Sequence, residues 1–178
     1  MKVTIAICAV LITGALAAVA EEKPKTTTES TDQKADERLP RIDAMVTKVE
    51  GGMAKLTRKE ATLKPEALAK ATDEKWAKIH TYADGKKIER LKVYPPGDSQ
   101  KTEEFYYNAG QLILVFIEPA GAGKKGHDAK AKGTKYYFDD KGLFAVMSDG
   151  KVDPLDDKTR AMGEKLQRES TAFLDAAK

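Results

Sequence analysis

Apolar residues follow a helical spacing at both ends of the chain and a strand-like spacing in its middle. After Pro40 they recur at intervals of three, four and seven positions, which is the spacing of one apolar face of an α-helix. From Trp76 to Lys151 the spacing is strand-like, in short segments rich in aromatic and aliphatic side chains. Helical spacing returns after Asp153. The pattern predicts an α+β protein in which an N-terminal and a C-terminal helix pack on a sheet.

Three helices are expected. The first carries an apolar stripe made of Ile42, Met45, Val46, Val49, Met53 and Leu56, and Gly51-Gly52 predict a kink or an end within it. A short second helix is predicted around Pro65 to Ala71, because Pro suits a first helical turn and EALAKA is a good helix former. In the last helix Asp153 is a candidate cap, Pro154 suits the first position, and the apolar stripe consists of Leu155, Met162, Leu166 and Phe173.

Three pairs of strand-like segments flank short polar turns and predict an antiparallel β-meander of about six strands. The pairs are Trp76 to Tyr82 with Lys87 to Tyr94, Glu103 to Asn108 with Gln111 to Glu118, and Thr134 to Phe138 with Leu143 to Ser148. The first turn contains Asp84-Gly85, which supplies the positive φ angles of a tight hairpin. Aromatic residues recur at matching positions of the second and third hairpins, which indicates either an internal repeat or only the preference of hairpins for such residues.

The segment Leu112 to Ile117 is apolar at every position, so both faces of this strand need to be covered. The helices at the two ends of the chain would cover both faces if they packed on opposite sides of the sheet. If they packed on the same side, the other face would expose tyrosine and aliphatic side chains as a surface for a partner or ligand. The sequence leaves both arrangements open and favours coverage by the chain itself.

The first 20 residues have the layout of a secretory signal peptide. Lys2 supplies a positive charge, a largely apolar run extends from Val3 to Ala17, and Ala18 and Ala20 form a small-residue cleavage site. The run is short for a membrane-spanning helix, which needs about 20 apolar residues. We therefore expect an exported protein, periplasmic or secreted, with no membrane span after cleavage.

Cleavage would remove Cys8, the only cysteine, so disulfides and thiolate chemistry are not expected in the exported chain. Residues 21–38 contain no aromatic or large apolar residue and are predicted to form a disordered spacer. Residues 39–178 are long enough for a single globular α+β domain. The chain has 31 Lys and Arg against 28 Asp and Glu, a mixed charge that does not favour binding to nucleic acid.

The sequence contains no recognisable motif for catalysis, metal binding or nucleotide binding. The segment Gly121 to Gly126 lacks the spacing and the hydroxyl residue of a phosphate-binding loop. His80 and His127 lie far apart and predict no metal site, and no cofactor is expected. Carboxylates near the sheet, Glu103, Glu104 and Glu118, leave open a small envelope hydrolase that uses a carboxylate pair.

Two tyrosine-rich hairpins carry a resemblance to known proteins. Phe105-Tyr106-Tyr107-Asn108 and Tyr136-Tyr137-Phe138-Asp139, each followed by a Leu and a Val, are similar to hairpins of exported bacterial proteins of unknown function. The resemblance covers about a third of the chain. It implies a bacterial envelope or secreted protein with an antiparallel sheet and flanking helices, and it implies no activity and no site residue.

Taken together, these patterns predict a non-enzymatic exported protein that binds through an aromatic and aliphatic face of its sheet. Tyr82, Tyr106 and Tyr137 are the candidate anchors, because tyrosine offers a large contact area at a low entropic cost. The expected partner is a protein or a small apolar ligand. The alternatives are the carboxylate hydrolase and a purely structural envelope domain, whose sheet would be fully covered by its own helices.

Overall fold

The computed structural model describes residues 36–97, 101–118 and 133–177. The predicted signal peptide, most of the predicted spacer, the segment Gly121 to Gly126 and His127 lie outside these ranges. Eight strands form one antiparallel sheet in which every strand pairs with the next along the chain. They are β1 Thr57–Thr62, β2 Lys78–Asp84, β3 Lys87–Tyr94, β4 Thr102–Asn108, β5 Gln111–Glu118, β6 Thr134–Asp139, β7 Gly142–Ser148 and β8 Lys151–Asp153.

The antiparallel meander is confirmed, with eight strands where about six were predicted. All three predicted hairpins are present, as β2–β3, β4–β5 and β6–β7. Their tight turns use positive φ angles, for example 59° at Gly85 and 82° at Gly110. The two additional strands, β1 and β8, are the edges of the sheet, and β1 is exposed along its whole length. An exposed edge strand has no apolar alternation from which it could be predicted.

Within the described residues, three α-helices accompany the sheet at positions close to those predicted. Helix α1 spans Arg38–Gly52 and continues into a 3-10 turn, Met53–Lys55, so the glycine pair lies where the α-helix ends. Helix α2 is short, Pro65–Leu68. Helix α3 spans Asp157–Ala176, and its cap is Asp156, whose side chain accepts a hydrogen bond from the Thr159 backbone N–H. The predicted cap at Asp153 is wrong, because that residue ends β8 and the helix begins later.

Helices α1 and α3 cover opposite faces of the sheet. Under α3, the core contains Phe105, Tyr107, Val115, Phe138, Leu166 and Phe173. Under α1, it contains Leu39, Ile42, Tyr106, Leu114, Tyr137 and Ala145. Neighbouring side chains of a strand point to opposite faces, so each Tyr-Tyr or Tyr-Phe pair divides between the two cores. This arrangement explains why Leu112 to Ile117 is apolar throughout.

Within the described residues, no helix combines the length and the apolar character needed to cross a bilayer.

Candidate ligand-binding groove

The three candidate tyrosines occupy equivalent positions of the three hairpins. A change of strand register, a β-bulge, follows directly after each of Tyr82, Tyr106 and Tyr137. Each of these tyrosines lies directly opposite a residue of the neighbouring strand, and these cross-strand partners form one continuous line from β1 to β7. We call this line the tyrosine row; it consists of Arg58, Tyr82, Arg90, Tyr106, Leu114, Tyr137 and Ala145. The structure thus brings the three predicted residues to the same face.

Helix α1 lies along the tyrosine row and buries part of it. Arg38, the first residue of the helix, pairs with Asp139 of β6. Its guanidinium stacks on the ring of Phe144 in β7, 3.8 Å from the ring centre. Near its last turn, Glu50 lies 3.4 Å from Arg90 of β3. The helix therefore crosses the strands from β7 towards β3, and its 15 residues span roughly 22 Å at about 1.5 Å each.

This placement decides which tyrosines are accessible. Tyr106 is 3% exposed and Tyr137 is 0% exposed, so both rings belong to the core beneath α1. Tyr82 lies beyond the end of the helix and is half-buried, with the Arg90 guanidinium 5.1 Å from its ring centre. Of the three candidate anchors, Tyr82 is the one whose ring can be touched without moving α1. The binding role of all three stays a prediction.

The tyrosine hydroxyls attach α1 to the sheet at two points. Tyr137 donates to Asp43 at 3.1 Å, and the Lys135 ammonium lies 2.9 Å from the same carboxylate. Seven residues, or about two turns, further along the helix, the Tyr106 hydroxyl lies 2.7 Å from the Glu50 carboxylate. Burial and the neighbouring carboxylates raise the pKa values of both phenols, so they are neutral donors at ordinary pH.

Between these two attachments, a groove of about 490 Å³ opens at the flank of α1. The helix contributes Asp43, Val46, Thr47 and Glu50, and the sheet contributes Glu104, Tyr106, Leu114, Phe116 and Lys135. The middle of the groove is apolar, formed by Val46, Leu114 and Phe116, whereas its ends are charged. The ring of Phe116 packs so closely on Gly133 that a Cβ there would lie 2.1 Å from a ring carbon. The absence of a side chain at Gly133 therefore allows the Phe116 ring to lie where it forms one side of the groove floor.

Glu104, on the floor of the groove, is surrounded by donors. Arg90 lies 2.7 Å away and Lys92 2.8 Å away, and the Tyr106 hydroxyl, whose single proton is shared between Glu104 and Glu50, lies 2.7 Å away. Burial alone would raise the pKa of this carboxyl, but the two cations outweigh burial and hold the pKa below its ordinary value. Burial likewise lowers the pKa values of Arg90 and Lys92, and the Glu104 charge more than compensates. Glu104 is therefore a fixed carboxylate and not a proton donor.

A second polar cluster lies on the same face near the sheet edge. His80 contacts Glu60 through Nε2 at 2.7 Å and the Tyr94 hydroxyl through Nδ1 at 3.1 Å. Burial lowers the pKa of His80 more than Glu60 raises it, so the imidazole is neutral at pH 7. Among the residues that the structure describes, no group of three or more His, Cys, Asp and Glu side chains is placed to hold a metal ion.

The candidate carboxylates of a hydrolase are divided between the two faces. Glu104 and Glu118 both approach Lys92, at 2.8 and 3.6 Å, on the groove side. Glu103 points to the α3 side, where it lies near Glu169. Sequence reasoning missed Asp43, Glu50 and Glu169. These residues resemble any other charged position of a helix, and their importance arises only from long-range contacts.

Comparison with known protein families, with curated proteins and with solved structures finds no match to this chain.

Proposed function

We propose that this protein is an exported, non-enzymatic binding module that holds a small amphipathic ligand in the groove beside α1. The observation that supports the proposal is the groove itself. Its volume of about 490 Å³ lies within the range of roughly 300–1,000 Å³ that small-molecule sites occupy. An apolar middle with charged ends is also the usual chemistry of such sites.

Of the two partner classes that the sequence leaves open, the groove favours the small ligand over a protein. A protein partner that docked on an apolar sheet face would need a broad exposed apolar patch. In the described part of the chain, Val152 is the one large apolar side chain with substantial exposure, 43%. The apolar surface of the sheet is instead largely buried beneath α1 and α3, and part of its accessible remainder lines the groove.

The groove chemistry also favours binding over hydrolysis by paired carboxylates. Such a hydrolase needs a carboxyl group with a raised pKa that faces a cavity. Glu104 faces the groove, but Arg90 and Lys92 hold it ionised. Glu103 and Glu169 have raised pKa values, but they are buried on the other side of the sheet.

The charges at the groove predict which ligands it prefers. Asp43 and Glu50 are partly exposed on the helix side, and among the described residues Lys135 is the one ammonium group that lines the groove. A ligand with an apolar chain and an ammonium group would gain from the carboxylates, whereas an anionic head would be repelled by them. We expect affinity to fall in the order octylamine, octanol, octanoate.

The test uses the neutral fluorescent probe N-phenyl-1-naphthylamine and two matched variants of α1. Thr47→Trp fills the groove from its helix wall and should abolish probe binding. Ala44→Trp adds the same bulk at an exposed position of the same helix that does not line the groove, and should leave binding unchanged. Equal binding by both variants would refute the proposed site. Displacement of the probe by the three octyl compounds then tests the charge preference separately.

A further inference from the structure

Two buried carboxyl groups on the α3 side of the sheet lack the partners that such groups require. Glu103 of β4 is 1% exposed and Glu169 of α3 is 0% exposed. Within the described residues, no hydrogen-bond partner reaches Oε2 of Glu103 or either carboxylate oxygen of Glu169. Buried polar atoms are nearly always paired, because leaving one unpaired costs about 1–3 kcal/mol and more when it is charged.

The two ammonium groups nearby are shared with a third carboxylate. Lys101, just before β4, and Lys165 of α3 both lie 2.8 Å from Glu74, in the segment between α2 and β2. Lys101 also donates to Oε1 of Glu103 at 3.1 Å, whereas Lys165 lies 3.8 Å from Oε1 of Glu169, beyond hydrogen-bond distance.

Among the described residues, the charged groups with the largest influence on the pair are short of one positive charge. They are three carboxyl groups, Glu74, Glu103 and Glu169, and two ammonium groups, Lys101 and Lys165; the half-buried phenol of Tyr136 on β6 also faces Glu103 and, further out, Asp153. The Thr72 side chain is close enough to favour ionisation of Glu169, but its hydroxyl makes no hydrogen bond of normal geometry to either oxygen and carries no charge. A single proton would both balance the cluster and supply a donor for the unpaired oxygens.

We propose that Glu103 and Glu169 form a proton-binding site within the fold, in which the pair holds one proton between α3 and the sheet. Loss of this proton places a second negative charge in the layer between them and weakens the packing of α3. The same layer contains the Phe173 ring and a hydrogen bond between the Tyr107 and Ser170 hydroxyl groups, whose oxygens are 2.9 Å apart. The site is on the opposite face from the groove and does not depend on it.

The direction of titration agrees with this geometry. Burial, and then the charge of Glu169, raise the pKa of Glu103 to about 7. Burial also raises the pKa of Glu169. Glu74, in contrast, has a lowered pKa: burial would raise it, but the two lysines outweigh burial. The proton therefore resides on the Glu103 and Glu169 pair and not on the third carboxyl.

The experiment is a pH titration of the glutamate side-chain carboxyl carbons by NMR, on the purified protein. We expect Glu103 to titrate near pH 7, and we expect Glu169→Gln to lower its midpoint because the repelling charge is removed. The reciprocal variant, Glu103→Gln, should lower the midpoint of Glu169, so that one variant suffices if the other fails to fold. Glu164→Gln, at an exposed position of α3, is the control and should leave both midpoints in place.

Three results would overturn the proposal. The first is an ordinary midpoint for Glu103, near 4.5, in the unmodified protein. The second is a midpoint of either partner that does not respond when the other is replaced. The third is an equal response to Glu164→Gln, which would show that the pair is not specifically coupled.

Discussion

Replacing Glu103 with Gln should change how the stability of this protein depends on pH. The folded-state pKa of Glu103 is about 7, against an ordinary value of 4.5. Each unit of difference corresponds to about 1.4 kcal/mol, so ionising this buried carboxyl costs the folded state about 3 kcal/mol. The Gln side chain keeps the shape and cannot ionise, and it therefore removes this cost.

The sign follows from where the proton is bound. Between pH 4.5 and about 7 the folded state keeps a proton on Glu103 that the unfolded state has released, so the free energy of unfolding falls as pH rises. The full contribution is present below pH 4.5 and is lost above about pH 7. His80 acts in the opposite direction, because its pKa is lowered and the unfolded state takes up a proton below its ordinary value of 6.5. The informative quantity is therefore the difference between the variant and the unmodified protein, in which the His80 contribution cancels.

Urea unfolding at pH values from 5 to 8 provides the measurement. Trp76 is the only tryptophan, it is buried, and its ring lies 5.9 Å from that of Phe173, so its fluorescence reports on the α3 layer. The stability of Glu103→Gln relative to the unmodified protein should rise by about 2.5 kcal/mol across this range, because a part of the effect already lies below pH 5. A difference that stays constant with pH would refute the reasoning, because it would show that Glu103 does not titrate between these limits.

Three further variants test the packing and the charges of the fold. Glu104→Gln should destabilise the protein by about 3–5 kcal/mol in urea unfolding at pH 7, because it removes the principal countercharge of buried Arg90, and a cost below about 1 kcal/mol would contradict the described pairing. Phe173→Ala should lower the free energy of unfolding by about 3–5 kcal/mol and shift Trp76 emission towards that of exposed tryptophan. Phe173→Leu should cause a smaller loss of stability and a smaller emission shift. Gly163→Ala should lower the thermal unfolding midpoint despite its better helix propensity, because the new Cβ would lie 2.7 Å from the Cβ of Leu143; a raised midpoint would show that the helix moves aside freely.

Turn chemistry made the three hairpins predictable. Gly85 and Gly110 adopt backbone angles that other residues rarely accept, and they separate segments rich in aromatic and β-branched residues. The helices were predictable from their apolar stripes, with boundaries wrong by a few residues at α3. The edge strands were not predictable, because β1 owes its extended form to pairing with β2 and not to any apolar pattern of its own.

The groove lay beyond sequence reasoning for a different reason. Its ends depend on contacts between residues far apart in the chain, such as Tyr106 with Glu50, 56 positions apart, and Lys135 with Asp43, 92 positions apart. Residue types at such separations carry no signal that distinguishes these carboxylates from other surface charges. Tyr82, Tyr106 and Tyr137 could be singled out, but the sequence did not show that α1 buries two of them.

By itself, the sequence determined which segments are helices, which form hairpins, and that Leu112 to Ile117 must be covered on both faces, because these are properties of local spacing and turn geometry. Only the tertiary structure decided that α1 and α3 take opposite faces, and thus which tyrosines are buried and where a groove remains. It also decided that Glu103 and Glu104, neighbours in one strand, have opposite pKa shifts. The pKa of a carboxyl group depends on the burial and charges around it, and these are set by elements that meet only when the chain folds.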